Sequence, residues 1–280
     1  MIAFEKYRKN HPFLVCIDSD GCAMDTMDIK HFQCFGPCMV REWGLEKWEE
    51  ALLEKWNEVN LYTMTRGINR FLALAKTLEE ADEKYCRIEG MEELANWVSN
   101  AKALSNQSVR EAWEQTGNPV FQKALSWSEA VNLAIAKLPV ESKKPFPGVR
   151  EGIFKAHQQA DVAIVSSANA DAVVEEWDMH GFMEAVDICL TQNEGSKAFC
   201  ISKMLEMGYE KDHVLMVGDA PGDKTAAEAN GVLYYPILVK HEEESWRRFA
   251  DEAWPRFLAG TYEGGYQQKL NREFEENLKG

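Results

Sequence analysis

The sequence predicts an α/β protein, a doubly wound parallel sheet interrupted early by an all-helical insert, on three observations. Five short apolar runs rich in β-branched residues have the length and composition of strands covered on both faces. Amphipathic stretches of helical period separate the last four, which is the βαβα rhythm of such a sheet. The first two runs lie about 140 residues apart, too far for a single crossover helix, so a second domain stands between them.

Along the chain, "FLVCI" (13–17) is the first strand. An outgoing linker is placed around residues 26–35. Residues 46–60, 66–81, 91–104 and 119–138 then carry apolar side chains three and four apart, as in Ile68, Phe71, Leu72, Ala75 and Leu78, which predicts a small helical bundle. "PVESKKPFPGV" (139–149), with three prolines and a glycine, is the return linker. "DVAIVS" (161–166), "AVDICL" (185–190), "HVLMVG" (213–218) and "VLYYPILV" (232–239) are the later strands. In the helix between the third and fourth, Phe199, Ile201, Met204, Leu205 and Met207 keep roughly helical spacing. Gly208 and Gly231 stand where helix stops belong. From about residue 240 the chain is rich in Glu, Arg and Trp and reads as helices packed on the core. The expected division is a Rossmann-like core of residues 1–30 and 144–280 and a helical domain of residues 31–143.

Apolar residues make up 45% of the 280-residue chain and aromatic residues 11%, material for a sizeable core. A formal charge of −15 argues against a nucleic-acid partner or a polybasic membrane surface, both of which call for a cationic face. The charged first twelve residues and the absence of an apolar span of about 18 residues lead us to expect neither a signal peptide nor a transmembrane helix, hence cytoplasmic residence. Seven cysteines is an odd number, and Cys16 and Cys189 lie inside strand-like runs, which suits reduced, buried thiols. His31, Cys34 and Cys38 lack a second ligand pair at zinc-finger spacing and are read as local packing. Oligomeric state is not encoded in any pattern of this kind.

In an open parallel sheet, ligands bind beyond the carboxyl ends of the strands. Polar residues of this chain collect there. The first strand ends at Asp18-Ser19-Asp20-Gly21, the second at Ser166-Ser167-Ala168-Asn169, and the fourth at Gly218-Asp219 with Asp223 four residues on; Lys197 opens the helix after the third. Carboxylates gathered on one rim repel: two unit charges 4 Å apart cost about 4 kcal/mol at an effective dielectric of about 20. They call for a counter-charge, and hard oxygen donors completed by water and phosphate oxygens suit Mg²⁺. One carboxylate can then act as nucleophile while another, two residues along, trades protons with the leaving group. Asp25, before Thr26, reads as a turn or helix cap; Asn169 could meet substrate or cap its helix.

Taken together, "DSDG" after the first strand, "VAIVSSAN", Lys197 in "EGSKAF" and "GDAPGD" resemble, in order, the four motifs of the haloacid dehalogenase superfamily of phosphotransferases. "PFPGV" before the second strand is similar to the family as well, and the helical insert matches a cap domain placed after the first motif. The resemblance covers about residues 12–30 and 145–240. It implies a Mg²⁺-dependent phosphatase acting on a small phosphorylated metabolite. Asp18 would attack phosphorus to form an aspartyl-phosphate and also ligate Mg²⁺. Asp20 would protonate the leaving oxygen, activate water, and lend its carbonyl to the metal. Ser166 and the Ser167 amide would hold phosphoryl oxygens, Lys197 would neutralise charge and pair with Asp18, and Asp219 and Asp223 would bind the metal. The physics of phosphoryl transfer, positioning plus charge cancellation, agrees with this set.

A Thr commonly follows the Gly of the first motif; here it is Cys22, which removes a hydroxyl near the acid. The second acid, Asp20, argues against the dehalogenase branch. Phosphomutase and phosphonate hydrolase chemistry remain alternatives on this scaffold, as does a catalytically silent binding protein. The intact Asp18, Asp20, Lys197 and Asp219 speak against the last. In the cap, "TRGINRF" places Arg66 and Arg70 four apart, on one helical face after a hinge at Gly67, either as a clamp for an anionic substrate or as surface arginines. Trp43, Trp48, Trp56, Trp97, Trp113 and Trp127 are read as core rather than as a sugar-stacking platform.

Overall fold

The computed structural model describes residues 2–279. These form one five-stranded sheet with strand order β3-β2-β1-β4-β5, where β1 is Phe13–Ile17, β2 Ala160–Val165, β3 Ile188–Leu190, β4 Val214–Gly218 and β5 Leu233–Pro236. Every pairing is parallel. The central strands are buried on both faces, which is why they read as uninterrupted apolar runs. The third strand is shorter than its apolar run because Met183–Ala185 close a 3₁₀ turn. The Asp187 carboxylate there accepts the Val162 amide as a side-chain extension of the ladder.

The chain divides into two compact units, residues 1–27 with 140–280, and residues 28–139. The first unit buries Val15, Ile17, Val162, Ile164, Leu215 and Val217 of the sheet against the helices on its faces. Residues 242–277 add helices Glu242–Arg248, Trp254–Leu258 and Gly265–Asn277. Trp246, Phe249, Trp254, Phe257 and Tyr262 of this segment belong to the same core. Among the described residues no helix is long and apolar enough to cross a membrane. All seven cysteines are free thiols.

The second unit is helical throughout, with its own core around Trp56, Phe71, Leu74, Trp127 and Val131. Three of the four expected helices are found as Arg70–Lys84, Met91–Asn100 and Pro119–Ala136; the first is Glu49–Asn57 continued by a π-helical turn, Glu58–Tyr62. Two stretches differ from the sequence reading. The expected outgoing linker is helical: Met27–Lys30, a π-helical turn His31–Phe35 and then Gly36–Trp43, whose first turn accommodates Pro37 because no backbone donor is needed there. Asn106–Thr116 forms a further helix, capped by Ser105 accepting the Ser108 amide. Its only buried residue is Val109, so it leaves almost no apolar period to read. All six insert tryptophans pack in or against this core, as expected. His31 Nδ1 accepts the Trp56 indole at 2.9 Å and its ring stacks on Phe35, so His31 is a packing residue too.

Candidate active site

Sheet register brings the strand-end residues to one edge. Ile17 pairs with Ile164 of β2 on one side and Val217 of β4 on the other. Asp18, Ser166 and Asp219 therefore follow three adjacent strands whose axes run about 4.8 Å apart. Asp18 continues the ladder, its amide donating to the Val217 carbonyl at 3.0 Å, and its Oδ1 accepts the Ser19 amide at 2.8 Å. After Ser19 the chain doubles back: the Ser19 carbonyl accepts the amides of Cys22, Ala23 and Met24, and Gly21 adopts a φ of 79° that only glycine holds without strain. This turn sends Asp20 out of the strand direction.

Carboxylate oxygens of Asp18, Asp219 and Asp223 lie within 4.8 Å of one another, and all three residues are buried. Asp223 reaches this position from the first turn of helix Pro221–Asn230, and its Oδ2 accepts the Ala220 amide at 3.0 Å. Gly218 makes room for it: a Cβ there would stand 2.3 Å from the Asp223 carboxyl carbon. Lys197, at the first position of helix Lys197–Glu206, places its Nζ 2.7 Å from Asp18 and 2.5 Å from Asp223. One ammonium thus bridges two of the three acids.

The electrostatics follow from this burial. Removal from water pushes the Asp18 carboxyl up to about 6, with Lys197 opposing the rise and Asp223 adding to it. Asp223 is raised likewise by burial, against the pull of Lys197 and with the push of Asp219. For Lys197, burial works toward the neutral amine, but the attraction of Asp18 and Asp223 outweighs it and holds the ammonium form well above its usual range. A buried set of three carboxylates against one ammonium carries excess negative charge. A divalent cation ligated by oxygen alone fits that donor set.

Asp20 is only part-buried and lies outside the triad; its Oδ1 accepts the Thr26 hydroxyl at 2.5 Å. Thr26 is fully buried, and the sequence reading gave it no role. A hydroxyl thus reaches Asp20 from Thr26, four residues beyond Cys22. The Cys22 thiol instead points to the Val217 carbonyl at 3.6 Å, and burial, reinforced by Asp219 and Asp18, keeps it protonated. Ser166 is buried, its Oγ accepting the Ala168 amide at 3.2 Å, while Ser167 is exposed. Asn169 caps helix Ala170–Met179, its Oδ1 accepting the amides of Asp171 and Ala172. Of its two readings, the structure realises the cap.

The model of the haloacid dehalogenase-like hydrolase family matches residues 68–235, more than half of the chain. This chain belongs to the haloacid dehalogenase-like hydrolases. The match takes in Ser166, Lys197, Asp219 and Asp223, while Asp18 and Asp20 precede it, so the place of the first motif in this hydrolase rests on the geometry above. A candidate phosphoglycolate phosphatase of Lactobacillus delbrueckii subsp. bulgaricus shares the fold of the hydrolase. It aligns at 14% identity and a TM-score of 0.50, over 80% of this chain and 85% of that one. A haloacid dehalogenase-like hydrolase of Streptococcus pneumoniae aligns at 12% identity and a TM-score of 0.48, over 86% of this chain and 91% of that one. No curated protein matches the hydrolase.

The expected arginine pair departs from the sequence reading. The helix begins at Arg70, capped by Asn69, because the chain turns at Gly67 with a φ of 68°, and Arg66 precedes it. The two side chains therefore do not share a helical face. Arg66 is buried, its Nη1 donating to the Leu61 carbonyl at 2.6 Å, whereas Arg70 donates to Ser128 Oγ at 3.0 Å and Asn132 Oδ1 at 2.8 Å and covers the Phe35 ring. Arg70 ties two helices of the insert together.

Proposed function

We propose that this hydrolase is a Mg²⁺-dependent phosphatase that cleaves a small phosphorylated metabolite through a covalent intermediate on Asp18. The observation that carries the reading is the Lys197 ammonium, in contact with Asp18 and Asp223 while Asp219 stands beside them. Mg²⁺ held by Asp18, Asp219, Asp223 and the Asp20 carbonyl would offset the negative charge of a bound phosphoryl group.

The residues divide the work as follows. Asp18, ionised above a pKa of about 6, attacks phosphorus as the P–O ester bond breaks. Asp20, steadied by Thr26, gives its proton to the departing alkoxide and then takes one from the water that attacks phosphorus. That second attack breaks the acyl phosphate, frees Asp18 and releases inorganic phosphate. The Ser166 hydroxyl and the Ser167 amide bind phosphoryl oxygens, and Lys197 holds Asp18 as a carboxylate and cancels charge in the transition state. An acid and base at Asp20 is what separates this reading from that of a silent binding protein.

The helical unit serves as the cap domain of this reading. Since Arg66 and Arg70 are engaged within it, any clamp they provide works as two separate anchors. The free thiols, with Cys16 buried in β1, support a reducing, cytoplasmic compartment. The test is phosphate release from a panel of phosphorylated sugars, nucleotides, amino acids and small acids, with and without Mg²⁺. Release from one class with Mg²⁺ is expected; no release from any member overturns the reading.

A further inference from the structure

The loop that carries Asp18 and Asp20 is gripped from outside by two indoles. Trp177 of helix Ala170–Met179 donates from Nε1 to the Ser19 hydroxyl at 2.9 Å. Trp246 of helix Glu242–Arg248 donates from Nε1 to the Cys22 carbonyl at 2.9 Å. Both tryptophans, and Ser19 and Cys22, are fully buried, so neither bond has water as a substitute.

We propose that Trp246 is a positioning residue of the hydrolase: it fixes the turn 19–24 and so the direction in which Asp20 leaves the first strand. This rests on the phosphatase reading above. Within the turn, the Ser19 carbonyl takes three amides and the Gly21 amide goes to the Met24 carbonyl. The Ala23 carbonyl takes the Phe146 amide. The Cys22 carbonyl takes the Trp246 indole, a group from outside the loop and its linker. The site is built around that ring. A Cβ at Gly152 would stand 2.8 Å from Trp246 Cε3, and a Cβ at Gly148 would stand 3.2 Å from Trp246 Cβ. Tyr235 secures the same helix by donating its hydroxyl to the Ser245 carbonyl at 2.6 Å. Both ends of the brace, Cys22 and Trp246, lie outside residues 68–235, the segment that the family model matches.

W246F keeps an aromatic ring and deletes the donor. W254F removes a different buried indole of the same segment, one whose Nε1 reaches Gln159 at 3.4 Å, and controls for general loosening. Amide hydrogen exchange of residues 21–24 is read alongside turnover of an alkyl phosphate such as β-glycerophosphate, whose leaving alkoxide needs the proton of Asp20. The expected result is at least tenfold faster exchange at residues 21–24 in W246F but not in W254F, with kcat down about tenfold and KM unchanged. Exchange no faster than in W254F overturns the proposal, and so does faster exchange with kcat within twofold of an active parent. If the parent shows no turnover, the phosphatase reading fails on its own, and the exchange data decide whether the brace exists. Should W246F not accumulate, 3-benzothienylalanine at position 246, which puts sulfur in place of the N–H, carries the same outcomes.

Discussion

Lys197 Nζ lies 2.7 Å from Asp18 Oδ2, joining the first residue of one helix to the residue that follows β1. Both side chains are largely withdrawn from water, so each needs the other. Replacing Lys197 with Met leaves Asp18 facing Asp223 without a counter-charge, which is expected to cost about 3 kcal/mol of stability in chelator-treated protein. Turnover is expected to fall by about 10³ or more, since one fixed cation at a phosphoryl group is worth that much. Thermal melts and phosphate release check both effects. A variant within tenfold of the parent rate contradicts the role.

Asp18→Asn tests the nucleophile. The amide keeps the shape and still accepts the Ser19 amide, so the fold is expected to survive, while the attacking oxygen is lost. Circular dichroism is expected to match the parent and aryl phosphate hydrolysis to vanish. Activity surviving within tenfold removes Asp18 from the chemistry.

The buried triad makes a prediction about metal. Chelation is expected to silence turnover and Mg²⁺ to restore it. Mg²⁺ at about 100 times its dissociation constant is also expected to stabilise the fold by about 2.7 kcal/mol, a rise in Tm of several degrees. Asp219→Asn, which removes a full ligand charge from the triad, is expected to lose that rise. Turnover that ignores chelation would defeat the electrostatic account.

How far the sequence carried depends on what each feature leaves in the pattern. β1, β2 and β4 are buried on both faces, so their apolar runs end where Asp18, Ser166 and Asp219 begin, and the strand-end chemistry could be read directly. The apolar run 185–190 is longer than β3 because Ala185 is apolar and buried in a 3₁₀ turn, and apolarity alone does not separate turn from strand. Arg66 and Arg70 read as sharing one helical face because a spacing of four does not say on which side of the Gly67 turn the helix begins. Thr26 left no signal, since its bond to Asp20 depends on the turn after Ser19 and on no periodicity. The brace by Trp246 crosses most of the chain to reach Cys22 and is visible only in the folded protein.

Alkaline stability follows from the thiols. Burial pushes Cys34 up to about 11, helped by Cys38. It pushes Cys189 up to about 11 and Cys200 up to about 12, each helped by Glu194. A free thiol in the unfolded chain loses its proton near pH 9, so between pH 9 and 11 the folded state holds protons that the unfolded state has released. Stability from these groups is complete below pH 9 and falls as pH rises through that window, at up to about 1.4 kcal/mol per pH unit for each thiol. Melts at pH 8, 9, 10 and 11 are expected to show a steadily falling Tm beyond pH 9. A flat Tm to pH 11 is the contrary result.

Thr26 offers the sharpest test of how Asp20 is aimed. Its hydroxyl donates to Asp20 Oδ1 at 2.5 Å from a fully buried position, so the bond restricts the one carboxylate of the site that stands outside the triad. Thr26→Val keeps the volume and deletes the donor. A general acid works only when held within hydrogen-bond reach of the leaving oxygen, and proton transfer of this kind supplies about 10² to 10⁴ of rate. Loosening it is expected to lower kcat about tenfold while KM for an aryl phosphate stays put. Thr26→Ser, which restores the hydroxyl, is expected to recover most of the loss. The penalty is also expected to shrink for substrates whose leaving group needs no proton, because a good leaving group departs as the anion and has no use for Asp20 as an acid. Equal penalties across a series of leaving groups would place Thr26 in the packing of the loop and remove it from the aiming of Asp20.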